Sequence, residues 1–145
     1  MFYIDNKKVK MASKYKVKVP LDYQCLFNSV VLTYTTHENV ITLTDALNYK
    51  KLLIKLKDEK FSDYFLTEPR VIEMDDNGFI ELNADELKRL NNSKKLAFAG
   101  VGGSVEIWDS EMFDKEMESL TPERVAEMFR ILEGEKDDTL QCAKK

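Results

Sequence analysis

The chain has 145 residues, 43% of them apolar, and a formal net charge of −4. This length fits one typical domain and the apolar content suffices for a buried core, which excludes a largely disordered chain. No apolar run approaches the roughly 20 residues that a membrane-spanning helix needs, and the first ten residues, MFYIDNKKVK, lack the hydrophobic stretch of a signal peptide. We therefore expect a globular protein of the cytosol.

The charge is distributed unevenly along the chain. Residues 1–60 carry 11 lysines and 6 acidic residues, a net charge of +5, whereas residues 61–145 carry 11 basic and 20 acidic residues, a net charge of −9. Two such halves can attract each other between subunits, or the basic half can face a polyanion such as nucleic acid. The charge pattern alone leaves both alternatives open.

The first predicted element is a strand over VKMASKYKVKVP, residues 9–20, in which lysines alternate with apolar residues. Residues of one parity share a face of a strand, and here that face carries Lys10, Lys14, Lys16 and Lys18. Two interpretations of this lysine row stay open. The lysines protect an exposed or edge strand from aggregation, or they track a phosphate backbone.

The next predicted elements complete a first unit, and a second unit with the same order of elements follows it. A short helix over LDYQCLF, the strands VVLTYT and VITLT with THEN as their turn, and a helix from near Asp45 complete the first unit. The second unit begins with VIEMDDNGFIEL, in which Asp76-Asn77-Gly78 signals a turn. Asn83 and Glu86 predict a capping box before a short helix. The strands LAFAGV and VEIW, joined by GGS, and a helix from near Ser110 follow.

The correspondence between the two units indicates a tandem duplication. MASKYKVKVP at Met11 aligns with MDDNGFIELN at Met74, an offset of 63, and an offset of 65 aligns the later hairpins. The repeated unit is about 45 residues long, which is too short to bury a core alone. After it, Thr121 and Pro122 predict the start of a last helix that ends at Gly134, followed by a frayed tail.

Several other residues invite a functional interpretation, and for each we favour a structural one. GVGG at residues 100–103 fits a hairpin turn better than a phosphate-binding loop, since no Lys-Ser/Thr follows it. Trp108 is expected in the core rather than as a stacking platform for a base. His37 lies in a predicted turn, and both cysteines, Cys25 and Cys142, are expected to be reduced thiols, with Cys25 packed. Acidic residues are abundant in residues 61–145, and most such side chains are simply solvated. We therefore do not expect acid–base or Mg²⁺ chemistry from the four carboxylates considered for it, Asp75, Asp76, Glu106 and Asp109.

The stretch FAGVGGSVEIWD, preceded by VIEMDDNGFIEL, resembles the MraZ family of bacterial transcriptional regulators. The residues that match the family's second-half pattern are Asp75, Gly78, Val101, Gly102, Glu106, Ile107, Trp108 and Asp109. The resemblance covers roughly residues 1–130 and implies a mostly β, α+β fold. The implied fold consists of two tandem AbrB-like swapped-hairpin β-barrel units with short helices and a C-terminal helix. The implied boundaries are 6–50 and 71–114 for the two SpoVT-AbrB-like domains, 115–134 for a helical segment and 135–145 for a flexible tail.

The resemblance also implies a function. It implies a DNA-binding regulator of the promoter of the division and cell-wall gene cluster, acting on promoter repeats as a ring-shaped homo-oligomer associated with the nucleoid. No cofactor, metal, membrane, catalytic residue or small-molecule substrate is implied. Phosphate contacts would come from Lys14, Lys16 and Lys18, with Lys8 and Lys10 as outer support.

The family's repeated Asp-x-x-x-Arg signature is altered in both copies. It falls on Ala12 to Lys16, without the acid and with lysine for arginine, and on Asp75 to Phe79, without the basic residue. Lysine keeps a point charge for phosphate but lacks the planar fork that reads guanine. We therefore expect the first copy to make most of the DNA contacts. The alternative is a ring-forming scaffold of the same fold with weak or no specific DNA binding.

Overall fold

The computed structural model describes residues 6–55 and 68–119. Within them, the strands are β1 (Asn6–Lys10), β2 (Lys16–Lys18), β3 (Val30–His37), β4 (Val40–Thr44), β5 (Arg70–Glu73), β6 (Phe79–Glu81), β7 (Lys95–Val101) and β8 (Ser104–Asp109). The helices are α1 (Leu21–Gln24), α2 (Ala46–Lys55), α3 (Ala84–Arg89) and α4 (Ser110–Glu118). The protein is mostly β, with antiparallel sheets and short helices. The order of elements from β1 to α2 is repeated from β5 to α4.

The two repeats exchange their first strands. The strand order of the larger, six-stranded sheet is β1-β7-β8-β4-β3-β5, so β1 pairs with a strand of the second repeat and β5 pairs with a strand of the first. The strands β2 and β6 form a separate two-stranded ribbon, again with one strand from each repeat. If each strand is replaced by its counterpart in the other repeat, the same strand order is obtained, read from the opposite edge. Each repeat therefore completes the sheet of the other.

The main core lies between the ribbon and one face of the large sheet. The ribbon contributes its inward-facing residues Val17, Val19, Ile80 and Leu82, which are at most 1% exposed. They belong to one cluster with the buried sheet residues Val31, Ile41, Leu43, Leu96, Phe98, Val105 and Ile107. The alternation of apolar and polar residues in these short strands gives each strand one buried row.

The opposite face of the sheet is covered by the two longer helices. Tyr49 of α2 contacts Tyr34 of β3, with ring centroids 6.0 Å apart. Phe113 of α4 is buried against Ala97 and Ala99 of β7. These contacts place α2 over the first repeat and α4 over the second, as expected from the related positions of the two helices.

The predicted single strand over residues 9–20 is wrong, because the chain turns between β1 and β2. The N–H groups of Ala12 and Ser13 both donate to the carbonyl oxygen of Lys16, and the Lys16 N–H donates to Ser13 Oγ. The predicted alternation of exposed lysines and at least partly buried apolar residues is nevertheless found on both sides of the turn. Every lysine of the row is exposed, while Val17 and Val19 are buried. The strand ends here because the Lys16 N–H donates to the Ser13 hydroxyl instead of to a neighbouring strand. Serine side chains can compete with a sheet for backbone hydrogen bonds in this way.

Local signals in the second repeat are confirmed. Asn83 caps α3, since its side chain accepts from the Glu86 N–H and the Glu86 carboxylate accepts from the Asn83 N–H. The predicted hairpin turns lie between β3 and β4 and between β7 and β8. The helix predicted from Thr121 and the tail lie outside the described residues.

Gly78 is required by the turn between β5 and β6. Its φ is +87°, and a Cβ atom there would overlap the side-chain amide of Gln24, which donates to the Val19 carbonyl oxygen. We expect Gly78→Ala to lower the free energy of unfolding by about 1–3 kcal/mol, from backbone strain and the loss of this hydrogen bond.

Chemical denaturation measures this effect, and Gly102→Ala is the matched control. Gly102 has a φ of +60° but open space around its Cβ position. It therefore reports backbone strain alone, about 1 kcal/mol. Equal losses in the two variants would contradict the proposed contact with Gln24.

Candidate nucleic-acid interface

The five lysines predicted to contact DNA are all exposed, but they lie on three different segments. Lys8 and Lys10 are on β1, Lys14 is in the turn after it, and Lys16 and Lys18 are on β2. Because the chain turns between the two strands, these lysines do not form one straight row. Lys10, Lys14 and Lys16 lie in or beside the turn, and Lys8 and Lys18 lie two residues farther along β1 and β2.

Lys8 is engaged with helix α4. Its Nζ lies 2.6 Å from Asp114 Oδ1 and 5.9 Å from the centroid of the Phe113 ring. This pairing offsets its charge locally and ties the edge strand β1 to α4. Its position suits structural support, and the edge position of β1 fits the interpretation of Lys8 as protection against aggregation.

Two lysines of the second repeat join the turn, and sequence reasoning missed them. Lys95 lies directly opposite Lys10 in the pairing of β1 with β7, and paired residues share a face. The Met11 N–H donates to the Lys94 carbonyl oxygen over 2.8 Å. We call the resulting group the basic corner, which consists of Lys10, Lys14, Lys16, Lys94 and Lys95.

The basic corner wraps around one end of the large sheet. Lys10 and Lys95 extend from the face that carries the helices, whereas Lys16 belongs to the ribbon on the other face. Lys14, in the turn between them, has its Nζ 5.3 Å from the centroid of the Tyr15 ring. Side chains spread around a corner in this way can contact successive phosphates of a curved or grooved surface.

Lys18 lies at the far end of the ribbon. It is paired with Phe79 in the register of β2 and β6, and its Nζ is 5.9 Å from the centroid of that ring. Lys16 is opposite Glu81 in the same register. The ribbon therefore presents two lysines of the first repeat beside a phenylalanine and a glutamate of the second.

The equivalent corner of the second repeat has the opposite character. At the offset of 63, the counterparts of Lys10, Lys14 and Lys16 are Glu73, Asn77 and Phe79. At the offset of 65, the counterpart of Lys95 is Val30. This second corner has no basic residue at any of these positions, so an anionic ligand would meet attraction at one corner and repulsion at the other.

The two repeats close the turn at the signature position with different hydrogen-bond acceptors. In the second repeat, Asp75 Oδ1 accepts from the N–H groups of Asn77 and Phe79, both over 2.9 Å, so the acid of the signature holds the turn. In the first repeat Ala12 stands in that position, and Ser13 supplies a hydroxyl acceptor instead. The first turn is thus closed without a carboxylate of its own.

Trp108 is partly buried and packs against the smaller cluster of Ala97, Ala99 and Phe113, so it lies at the edge of a core rather than fully buried as predicted. It lies on the face of β8 opposite to Ile107, where it contacts Phe113 edge-on at 5.8 Å between ring centroids. Its Nε1 donates to Glu106 Oε1 over 3.0 Å. Trp108 therefore fixes α4 to the sheet, and in the pairing of β7 with β8 it lies opposite Ala97, two residues from Lys95.

The remaining candidate residues are placed as follows. The predicted hairpin turn at Gly100–Gly103 is confirmed, with Gly102 at a φ of +60°. His37 is exposed at the end of β3. Cys25 is exposed and disulfide-bonded, so the expectation of a packed, reduced thiol is wrong for it.

The candidate carboxylates have separate structural partners. Asp75 holds a turn, Glu106 accepts from Trp108, and Asp109 Oδ2 accepts from the side-chain amide of Asn91 over 3.2 Å. Across residues 6–55 and 68–119, no three His, Cys, Asp or Glu side chains are grouped as metal ligands. The described helices also include none that is long and apolar enough to cross a membrane.

No protein-family model matches this sequence, and no curated protein matches it significantly. The resemblance to the MraZ family therefore depends on the motif residues quoted above.

Proposed function

We propose that the protein is a DNA-binding transcriptional regulator built from two AbrB-like swapped-hairpin repeats. The observation that carries this proposal is the basic corner, where five lysines from both repeats surround one turn. A cluster of exposed lysines that few acids accompany is the electrostatic footprint of a phosphate-binding surface.

The exchange of strands supports the fold part of the proposal. A swapped hairpin needs strands of one repeat to pair with strands of the other, and β1 pairs with β7 while β5 pairs with β3. The ribbon of β2 and β6 joins the repeats a second time. An interlocked pair of repeats holds its exposed turns rigidly, which suits recognition of a fixed phosphate spacing.

The chemistry of lysine determines how such a regulator would bind. An ammonium group contacts phosphate oxygens as a point charge and positions the protein without reading bases. Sequence preference would then come from DNA shape and from repeated sites. A ring-shaped homo-oligomer would present one basic corner per subunit, so weak single contacts would add up on promoter repeats. Binding to the promoter of the division and cell-wall gene cluster would place the protein at the nucleoid.

The experiment that tests this function compares two DNA duplexes. Fluorescence anisotropy measures binding of the protein to DNA from upstream of its own gene and to a scrambled duplex of the same composition. We expect the native duplex to bind more tightly, by about tenfold or more, as for a specific site against a non-specific one. Equal affinity for both duplexes would contradict a sequence-directed regulator.

A second candidate function is a protein-interaction scaffold of the same fold. The observation that favours it is the second corner, where Glu73 and Phe79 replace the basic counterparts. A scaffold with no DNA function would bind neither duplex at low salt. The same titration therefore separates the two candidates.

A further inference from the structure

The two outer strands of the large sheet are protected very differently. Strand β1 carries lysines at three of its five positions, Lys7, Lys8 and Lys10, a common device that prevents an edge strand from pairing with another chain. Strand β5 occupies the equivalent edge and reads RVIE. At the offset of 63, Val71 stands where β1 has Lys8. The β5 edge therefore lacks the central lysine that its counterpart has.

The exposed surface at β5 includes an apolar patch. The side chain of Val71 is 62% exposed, and Val30 on the neighbouring strand is 45% exposed. The two residues lie on the same face, since Val71 pairs with Leu32 and Val30 pairs with Glu73. An exposed valine on an edge strand is a feature that edges unused for pairing usually avoid.

The outward backbone groups of β5 are available for pairing. The Met74 N–H donates to the Ser29 carbonyl oxygen, so Met74 and the alternate residues Ile72 and Arg70 direct their backbone groups toward β3. Val71 and Glu73 direct theirs away from it. Among the described residues, these outward groups have no backbone hydrogen bond.

A groove lies beside this edge. Its volume is about 660 Å³, and its walls are formed by β5, by β6 and by the start of α3. Exposed acids line it, namely Glu73, Asp75 and Glu81, and Lys16 is a lysine at its rim. The other cation of the groove, Arg70, is committed to Glu86. The groove is therefore acidic on balance, with an apolar floor that includes Ile72 and Phe79.

We propose that the open edge of β5 is a docking site for an extended, lysine-rich segment of a partner protein, which adds to the sheet as a further strand. Main-chain hydrogen bonds to Val71 and Glu73 would provide affinity, as in other cases of strand addition. Alternate side chains would then lie on opposite faces. One row would contact Val71, and the other would enter the groove, where Asp75 and Glu81 favour lysine. Charge complementarity selects this occupant, and Lys16 is the one residue of the basic corner that borders the groove.

The test uses a defined peptide as the probe. A fluorescein-labelled octapeptide of alternating valine and lysine is titrated with the full-length protein, and anisotropy is recorded. Two peptides serve as comparisons: one with glutamate in place of lysine, and one with a methyl group on every backbone nitrogen. We expect saturable binding of the lysine peptide, at least about tenfold weaker binding of the glutamate peptide, and no binding of the methylated one.

Two variants of the protein locate the site. Val71→Lys reproduces the lysine found at the equivalent position of β1, and we expect it to weaken peptide binding at least about tenfold. Leu47→Lys is the matched control, because Leu47 on α2 is 61% exposed, close to the exposure of Val71. It should leave binding unchanged. Circular dichroism establishes that both variants are folded, and the peptide comparisons do not depend on either variant.

Three results would overturn the proposal. The first is no saturable binding of the lysine peptide. The second is equal binding of the methylated peptide, which would show attraction by charge without strand pairing. The third is a change in oligomeric state on Val71→Lys together with no peptide binding, which would assign the edge to a second copy of this chain. These results concern the β5 edge, and the titration with DNA duplexes tests the basic corner independently.

Discussion

Arg70→Met is expected to lower the free energy of unfolding by about 3 kcal/mol, the lower end of what loss of one partner of a buried ion pair costs. Arg70 on β5 is bound to Glu86 on α3 through Nε to Oε2 at 3.1 Å and through a second, shorter bond from its terminal nitrogen. The Glu86 side chain is only 10% exposed and that of Arg70 is 36% exposed. Removing the guanidinium leaves the carboxylate desolvated and without its cation.

The Arg70 side chain also connects three elements. Its terminal nitrogen donates to the Glu81 carbonyl oxygen at the end of β6, and Glu86 caps α3 through the Asn83 N–H. A methionine of similar length fills the space but supplies none of these bonds. In the first repeat, Lys7 is the counterpart of Arg70 at the offset of 63, whereas Tyr23 stands where the second repeat has Glu86. Lys7 pairs instead with Asp22, and both side chains of that pair are about half exposed.

Chemical denaturation of the variant measures the loss, with Arg89→Met as the matched control. Arg89 pairs with Asp85 on the same helix, four residues away, and the Asp85 side chain is 65% exposed. A surface pair of this kind contributes about 0.3–0.5 kcal/mol. A loss for Arg70→Met no greater than that for Arg89→Met would show that the pair of Arg70 and Glu86 is not a structural connection.

The second large effect is expected on DNA binding. Replacing Lys14, Lys16 and Lys18 together with glutamine should weaken binding at about 0.1 M salt by one to two orders of magnitude, because up to three phosphate contacts are lost. The fold should be kept, because all three side chains are exposed while the intervening Val17 and Val19 are buried. Anisotropy with the upstream duplex measures the affinity.

The control for this variant has the same change in charge at a different place. Lys50 and Lys51 on α2 and Lys115 on α4 are exposed and lie on the helices rather than at the turn. Their replacement by glutamine should change affinity by much less. Equal weakening in both triple variants would mean that net charge, rather than the position of the lysines, determines binding. Unfolding of the first variant would contradict the assignment of these lysines to the exposed side.

Local signals in the sequence predicted much of the secondary structure. The capping box at Asn83 and the turn at Gly78 depend on side chains within a few residues, so a short stretch of sequence contains the whole interaction. The turn after β1 was missed because ASKY contains none of the glycine, proline, asparagine or aspartate residues that usually mark a turn. A serine hydroxyl closes it instead.

The composition of the basic corner depends on long-range pairing. Lys10 and Lys95 are opposite each other because β1 crosses to the second repeat, and no periodicity within either segment specifies that partner. The position of Trp108, by contrast, is indicated by the local sequence. In SVEIWD, Trp108 shares its parity with Glu106 rather than with the buried Val105 and Ile107, which places it on the other face.

The measurement that tests the central claim most directly is the salt dependence of binding of the unmodified protein to a DNA duplex. Each phosphate neutralised on double-stranded DNA contributes about −0.9 to the slope of log K against log salt concentration. If most of the basic corner contacts phosphates, we predict a slope of about −3 to −5 per bound subunit. A slope near zero, or no binding at about 50 mM salt, would contradict the account. The corner lysines would then serve only to keep an exposed surface free of aggregation.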